Sequence, residues 1–270
     1  MIPIPVIIFH VGNQDYFKKC VELNRKHNEV IIIGDDSNSS MLNHINMNTL
    51  DDTNIKRFRK CFINYSTNGH DYELFCFLRV FYIREYLLKH NINKIFHLDS
   101  DCVLFDNISE MFKDESVVYS IQNVENPYHM VGSIHNALID LNFCDTFIQL
   151  CFDIYENKSK FHLIDEKMKW HKKNNVPGGI CDMTIYYLMT KLLTVKDINL
   201  FSNKVFDHNI SSPYGYLGEN TFKMNNGIKV ILKKDKYYFQ TNTKNVKKSK
   251  DLEVMSMHFQ GNKKQLLFQI

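Results

Sequence analysis

Ile95-Phe96-His97-Leu98-Asp99-Ser100-Asp101-Cys102-Val103-Leu104-Phe105 is the stretch around which the chain is organised. Its apolar start has the length and composition of a buried strand. It then runs into two carboxylates one residue apart, where such a strand leaves its sheet. In open α/β sheets that edge is where ligands bind. Asp99 and Asp101 can both reach one hard divalent cation, and Mg²⁺ or Mn²⁺ takes oxygen ligands of this kind while keeping positions for phosphate oxygens. The same residues also serve as turn or cap residues at a strand end. Residue type alone leaves both roles open.

Upstream, strand and helix alternate. Val6 to Val11 reads as a strand, and Asp15 to His27 as a helix with Phe17, Cys20, Val21 and Asn24 along one side. Glu29 to Gly34 is a second buried strand ending in Gly34-Asp35-Asp36-Ser37. Strands joined this way form a right-handed parallel unit, which puts Asp35 and Asp36 on the same sheet edge as the end of the first strand. Residues 38–68 are polar and weakly periodic: a connection with a short helix and a short strand near Cys61 to Ile63. From Asp71 to His90, Leu74, Phe77, Leu78, Phe81 and Leu88 recur at helical spacing, with Asp71 as the expected N-cap. Arg79 stands among them and needs a partner, either an anion or a local carboxylate.

Downstream, Val117 to Ile121 is a strand and 123–132 is irregular. Asn136-Ala137-Leu138-Ile139 is a further strand. A long amphipathic helix follows from Phe143 to Glu156, carrying Phe147, Ile148, Cys151, Phe152 and Tyr155. Pro177-Gly178-Gly179 breaks the chain before Asp182, the expected N-cap of a helix running to Leu193. Gly227 to Lys233 and Lys236 to Thr241 form a hairpin. With no internal repeat and no low-complexity linker, a single α/β domain is expected.

Composition narrows the class. The 270 residues, 44% hydrophobic and 13% aromatic, are ample for one sizeable core. A formal charge of +3 without a basic stripe argues against nucleic acid as the partner. Lys233, Lys234 and Lys236, with Lys244, Lys247, Lys248 and Lys250, read as a solvated face. The seven cysteines are odd in number and contain no CxxC pair, which points to a reducing, cytoplasmic setting and to neither a disulfide framework nor a zinc site. The apolar start is too short to span a bilayer and no basic segment precedes it, so a soluble protein without a transmembrane segment is expected.

Four patches in this order resemble the nucleotide-sugar glycosyltransferases of the GT-A fold, most closely the glycogenin and lipopolysaccharide galactosyltransferase-like group, family 8. Phe77-Leu78-Arg79-Val80-Phe81 looks like the arginine-bearing helix before the DxD strand. Phe96-His97-Leu98-Asp99-Ser100-Asp101 looks like the DxD element itself. Asn136-Ala137-Leu138-Ile139 resembles the segment lining the sugar pocket, with Leu138 in place of the usual glycine. His258-Phe259-Gln260-Gly261-Asn262-Lys263-Lys264 resembles the C-terminal His-x-x-Gly-x-x-Lys.

The resemblance implies a Rossmann-like, mostly parallel sheet flanked by helices, with a β-rich C-terminal part. Residues 1–106 would be the nucleotide-binding half, and 107–270 the acceptor-binding half with a closing tail. It implies Asp99, Asp101 and His258 as ligands to Mn²⁺ or Mg²⁺, with Lys264 at the diphosphate. Gly261 would give backbone access. Phe9, Val11, Asp35, Arg79, Ser100, Asn136 and Ala137 would lie about the donor, a UDP-sugar ahead of a GDP-sugar, and the acceptor would be a glycan or glycoconjugate. The chain departs from the family at Gly179-Ile180-Cys181-Asp182-Met183-Thr184, where an Asp-Gln-Asp run is usual. Asp182 alone keeps the charge there, as an acceptor contact, a donor-sugar contact or a catalytic base. The Pro-Trp that usually follows the lysine is also missing.

Two other classes compete. Leu98-Asp99-Ser100-Asp101 also looks like the first motif of haloacid-dehalogenase phosphatases, with Asp99 as nucleophile and Asp101 as acid beside Mg²⁺. Against it, two strands precede the motif, and the adjacent acidic pairs Asp35-Asp36 and Asp51-Asp52 come before it instead of after. The third class is a non-catalytic nucleotide-sugar or glycan-binding module.

Overall fold

The computed structural model describes residues 3–50, 52–122, 126, 128–214, 217, 221–242 and 251–270. In chain order the first elements are β1 (Val6–His10), α1 (Asp15–Asn24), β2 (Val30–Gly34), β3 (His44–Asn46) and α2 (Thr53–Cys61). Then come β4 (Tyr65–Ser66), α3 (His70–His90), β5 (Lys94–Leu98), β6 (Cys102–Leu104), β7 (Val118–Ile121) and β8 (Gly132–Asp140). The chain continues through α4 (Leu141–Tyr155), α5 (His162–Asn174), β9 (Gly179–Ile180), α6 (Asp182–Met189), β10 (Lys196–Asp197), β11 (Leu200–Phe201) and β12 (Lys204–Phe206). It ends with β13 (Met224–Asn225), β14 (Ile228–Lys229), β15 (Ile231–Lys233), β16 (Tyr237–Phe239), β17 (Leu252–His258) and a 3₁₀ helix over Gly261–Gln269.

The architecture is α/β. A seven-stranded sheet in the order β10-β7-β8-β5-β1-β2-β3 forms the centre, and β8 alone runs against its neighbours. Both faces are covered, which is why β1 and β2 read as unbroken apolar runs. Period-two alternation sorts them: Ile7, Phe9, Ile31 and Ile33 pack towards α2, α3, α4 and α6, whereas Val6, Ile8, Val30 and Ile32 pack towards α1 and the C-terminal sheet. That second sheet runs β11-β12-β17-β16-β15, with β6 also on β17. The two halves of the chain therefore interlock, since β5 pairs with β8 and β6 with β17. Among the described residues no helix is long and apolar enough to cross a membrane, and all seven cysteines are free.

Several expectations change in detail. The organising stretch is two strands, not one, because the chain turns at Asp99, whose carbonyl accepts the Cys102 amide at 3.0 Å. Gly69, not Asp71, caps α3, and Leu88 is 46% exposed, off the buried face. Cys61 ends α2, and the short strand lies instead at β4. Asp182 is the first residue of α6, not its N-cap; Cys181 caps that helix, which stops at Met189. The hairpin is shorter, with β15 pairing β16, while 224–229 forms its own two-stranded ribbon. Helix α5 carries few apolar positions, burying Ile164 and Lys167, and for that reason is missed by a search for apolar periodicity. Lys244, Lys247, Lys248, Lys250, Asp51 and most of 123–127 lie outside the described residues.

Candidate active site

The parallel strands β1 and β5 deliver His10 and Asp99 to one sheet edge, with Gly34 of β2 beside His10. Gly34 is required there, since a Cβ would stand 2.4 Å from the His10 carbonyl oxygen. A cleft of about 530 Å³ opens at this edge, lined among others by Phe9, Val11, Arg79, Asp99, Ser100, Asp101 and Lys264. Phe9 forms part of its floor, stacked on Phe75 and Tyr82 with ring centroids 4.8 and 5.4 Å apart. Asp35 sits behind the Gly12 turn, accepting the Gly12 amide at 3.3 Å and the Ser37 amide at 3.2 Å.

The two aspartates of the DxD have different partners. Arg79 reaches up from α3 and divides its guanidinium: Nη1 to Asp99 Oδ1 and Nη2 to Asp182 Oδ2, each at 2.7 Å. Its Nε donates to the Cys76 carbonyl at 3.1 Å, which fixes the fork on its own helix. Burial alone raises the pKa of Asp99, but Arg79 and the nearby His97, His258 and His135 outweigh it and hold that carboxyl at about 2. Asp182 is covered as well. Its second oxygen accepts the Met183 amide at 2.8 Å, so both oxygens are engaged.

Asp101 faces the C-terminal segment. Its Oδ1 is 3.2 Å from His258 Nε2 and its Oδ2 is 3.3 Å from Lys264 Nζ. Strand pairing makes these neighbours: β17 runs antiparallel to β6 with His258 opposite Cys102, and the Phe259 amide donates to the Asp101 carbonyl at 2.9 Å. The 3₁₀ helix then turns Lys264 back over Tyr16, 4.3 Å above its ring. Gly261 permits that reversal with φ +59; nothing lies within 4 Å of where its Cβ would be, so the turn and not a close approach calls for glycine.

His258 is oriented from behind. Its Nδ1 donates to the His208 carbonyl at 2.6 Å, which leaves Nε2 facing Asp101. Burial lowers the pKa of His258, and the hydrogen bond and charge of Asp101, with Asp99 and Asp207, overcome this and raise it. Asp207 forms a fully buried pair with Lys229 and also accepts the His258 amide at 3.3 Å. The His135 ring stacks on His258 with centroids 5.0 Å apart, and burial pushes its pKa down to about 3.

The structure thus brings the predicted residues together as two adjoining sets at one sheet edge, Arg79 with Asp99 and Asp182, and Asp101 with His258 and Lys264. Asn136 and Ala137 stand apart from the cleft: both are fully buried in β8, and neither side-chain polar atom of Asn136 has a partner. Asp101, Cys102 and His258 offer ligand atoms all within 4.8 Å of one another, and Asp99 does not belong to that group. This donor set, a carboxylate, an imidazole and a thiol, fits a divalent cation. The sequence reading missed His10, Gln14, His135, His208 and the Lys229–Asp207 pair. Only His10 carried a signal, since it ends the first strand at the ligand-binding edge.

No protein-family model matches the chain, and no curated protein matches it. Solved structures similar to it include mouse xyloside xylosyltransferase 1 at 12% identity, covering 76% of this chain and 86% of that one with a TM-score of 0.45. An active-site mutant of LgtC matches at 11% identity over 96% of this chain and 88% of its own, with a TM-score of 0.46. A glycosyltransferase that acts in glycosylation of the major capsid of PBCV-1 matches at 9% identity over 98% and 100%, with a TM-score of 0.44.

Proposed function

We propose that this protein is a metal-dependent glycosyltransferase of GT-A type that moves a sugar from a nucleoside-diphosphate sugar to a hydroxyl of a glycan or glycoconjugate. The observation that carries it is the placement of His258 and Lys264 on either oxygen of Asp101, at the edge of a mostly parallel sheet. A carboxylate and an ammonium lining an open cleft, with a buried imidazole behind the carboxylate, suit a cation and a diphosphate together. The preference for a UDP-sugar over a GDP-sugar follows from the family resemblance alone, as does Mn²⁺ ahead of Mg²⁺. The free thiols support a reducing, cytoplasmic setting.

Asp101 and His258 would hold the cation, with Asp99 a weaker member because its carboxylate is committed to Arg79. When bound, the cation would supply Lewis-acid neutralisation of charge on the departing nucleoside diphosphate. Lys264 contributes a point charge for the phosphates, and it neutralises Asp101 before donor arrives. Phe9 and Val11 offer an apolar wall where the base can rest, with Asp35 behind it. Arg79 holds Asp99 and Asp182 on the two arms of one guanidinium. Asp182 sets Arg79 with one oxygen and accepts the Met183 amide with the other, and the lone pairs left on both oxygens keep it the candidate for an acceptor contact, a donor-sugar contact or the catalytic base. The phosphatase alternative asks Asp99 to attack phosphorus, and the Arg79 pair opposes that by stabilising its lone pairs.

Thermal shift with a panel of nucleotide sugars, with and without Mn²⁺, tests this function, because a ligand that binds only the native state raises its melting temperature. The expected result is stabilisation by a nucleoside diphosphate that requires Mn²⁺ and disappears in Asp101→Asn. An Asp101→Asn protein that binds donor with unchanged metal dependence would refute it. Rapid hydrolysis of simple phosphomonoesters, lost in Asp99→Asn, would favour the phosphatase.

A further inference from the structure

The first residue of β6 is a group that oxygen and imidazole coordination leaves unused. Cys102 directly follows Asp101 and is fully buried. Its Sγ, a carboxylate oxygen of Asp101 and a ring nitrogen of His258 lie within 4.8 Å of one another. The sequence carries no CxxC or other zinc spacing, yet the sheet builds a thiol–imidazole–carboxylate set, because β17 places His258 directly opposite Cys102. That register is locked on both sides, by the Phe259 amide on the Asp101 carbonyl at 2.9 Å and the Phe105 amide on the Met255 carbonyl at 3.0 Å. Cys102 is also held from α1, where its carbonyl accepts the Asn24 side-chain amide at 2.9 Å and the Cys20 thiol at 3.0 Å. The bond from His258 Nδ1 to the His208 carbonyl is the arrangement that commonly orients a metal-binding imidazole.

We propose that Cys102 Sγ is a third protein ligand at this site. The site therefore takes a borderline cation such as Zn²⁺ or Co²⁺ in preference to the harder Mn²⁺ or Mg²⁺. The inference rests on the proposal that Asp101 and His258 hold a divalent cation. Thiolate ligands select zinc and its neighbours, whereas oxygen ligands alone suit magnesium and manganese. Bonds of about 2.0–2.3 Å put tetrahedral ligand atoms roughly 3.3–3.8 Å apart, so a modest closure completes the set. On binding, the S–H bond breaks, its proton passes to solvent, and a sulfur–metal bond forms without any change of oxidation state. The consequence for the enzyme is regulation by metal supply: Zn²⁺ competes with Mn²⁺ for the same ligands.

The test is optical titration of the full-length, metal-free protein with Co²⁺. Sulfur ligation gives a near-ultraviolet charge-transfer band, and visible bands report cobalt bound by any donors. The expected result is both sets of bands in wild type and in Cys20→Ser, and loss of the charge-transfer band alone in Cys102→Ser. Zn²⁺ affinity should fall more than about tenfold in Cys102→Ser, with Mn²⁺ affinity changed much less. X-ray absorption of the Zn²⁺-loaded wild type needs no variant and should show one sulfur at about 2.3 Å. Visible bands without a charge-transfer band, or zinc with no sulfur neighbour, would overturn the Cys102 assignment and leave the Asp101–His258 site standing. Absence of Co²⁺, Zn²⁺ and Mn²⁺ binding altogether would overturn both.

Discussion

His258 Nε2 stands 3.2 Å from Asp101 Oδ1 because β17 pairs with β6, and the pairing is enforced from behind by a buried charge pair. Lys229 and Asp207 have no side-chain exposure, and Lys229 Nζ also donates to the Asn209 carbonyl at 2.8 Å. Two aromatic rings, Phe222 and Phe239, lie 4.8 and 5.2 Å from the same ammonium. The segment this clamp holds carries the His208 carbonyl that orients His258.

Lys229→Met therefore strands the Asp207 carboxylate in the interior. Breaking a buried pair from one side costs about 3–5 kcal/mol, whereas replacing both partners is far milder. Urea denaturation should show that loss in Lys229→Met and recovery of much of it in Lys229→Met with Asp207→Asn. Metal affinity should remain weakened in the double variant, since the anchor of the His208 segment is still missing. A purely structural pair would restore both together.

Arg79 offers the same test on the other side of the cleft. Asp99 and Asp182 are 27% and 7% exposed at the side chain, so removing the guanidinium leaves two carboxylates facing each other with little water between them. Arg79→Ala should lose about 3–5 kcal/mol in denaturant unfolding, and adding Asp182→Asn should return part of it. Arg79→Lys should not rescue, because one ammonium cannot grip two carboxylates in a fork.

How much of this was legible in advance follows from what each signal depends on. The strands β1, β2 and β5 were plain because both faces of the sheet are buried and their apolar runs are continuous. Asp99, Asp101, Arg79, His258 and Lys264 were found as a set only because their order along the chain resembles a known family. Nothing local links His258 to Asp101; the link is β-pairing between distant strands. Helix α5 was invisible because it covers little core, and the Lys229–Asp207 pair because a buried lysine looks like any other in a lysine-rich segment. The division of the two aspartates, one to Arg79 and one to the tail, is set by the turn at Asp99, and a DxD string does not encode that turn.

Buried His97 contributes to the acid side of the stability curve. Burial and the charge of Arg79 hold His97 at about 4, and its Nδ1 donates to the Ile134 carbonyl at 2.6 Å. The unfolded chain has an ordinary histidine near 6.5 and binds the proton first. The contribution of His97 is thus complete above about pH 6.5 and is lost as pH falls towards 4. Between pH 7 and pH 5 it amounts to something on the order of 2 kcal/mol. His97→Gln should flatten the fall in urea midpoint between those two pH values. An unchanged slope would show that His97 is not the titrating group.

The C-terminal helix combines an anchor with a charge, and two substitutions separate them. Leu267 is fully buried, packed into the same core as α1, whereas Lys264 is part-exposed with its ammonium over the cleft. Leu267→Ala should cost about 2–5 kcal/mol in unfolding, as truncation of a core leucine does. Lys264→Ala should cost little stability, since a partly exposed pair with Asp101 contributes about 0–1 kcal/mol. Its effect falls on binding instead. Calorimetry should show a nucleoside diphosphate weakened by roughly tenfold or more, and the bare nucleoside changed far less, because the lost contact is to phosphate charge. Raising the salt concentration should narrow the difference between Lys264→Ala and wild type, since the ammonium acts through a screened charge. Equal weakening of nucleoside and nucleoside diphosphate would place Lys264 at the base or the sugar and would move the phosphate site elsewhere along the cleft.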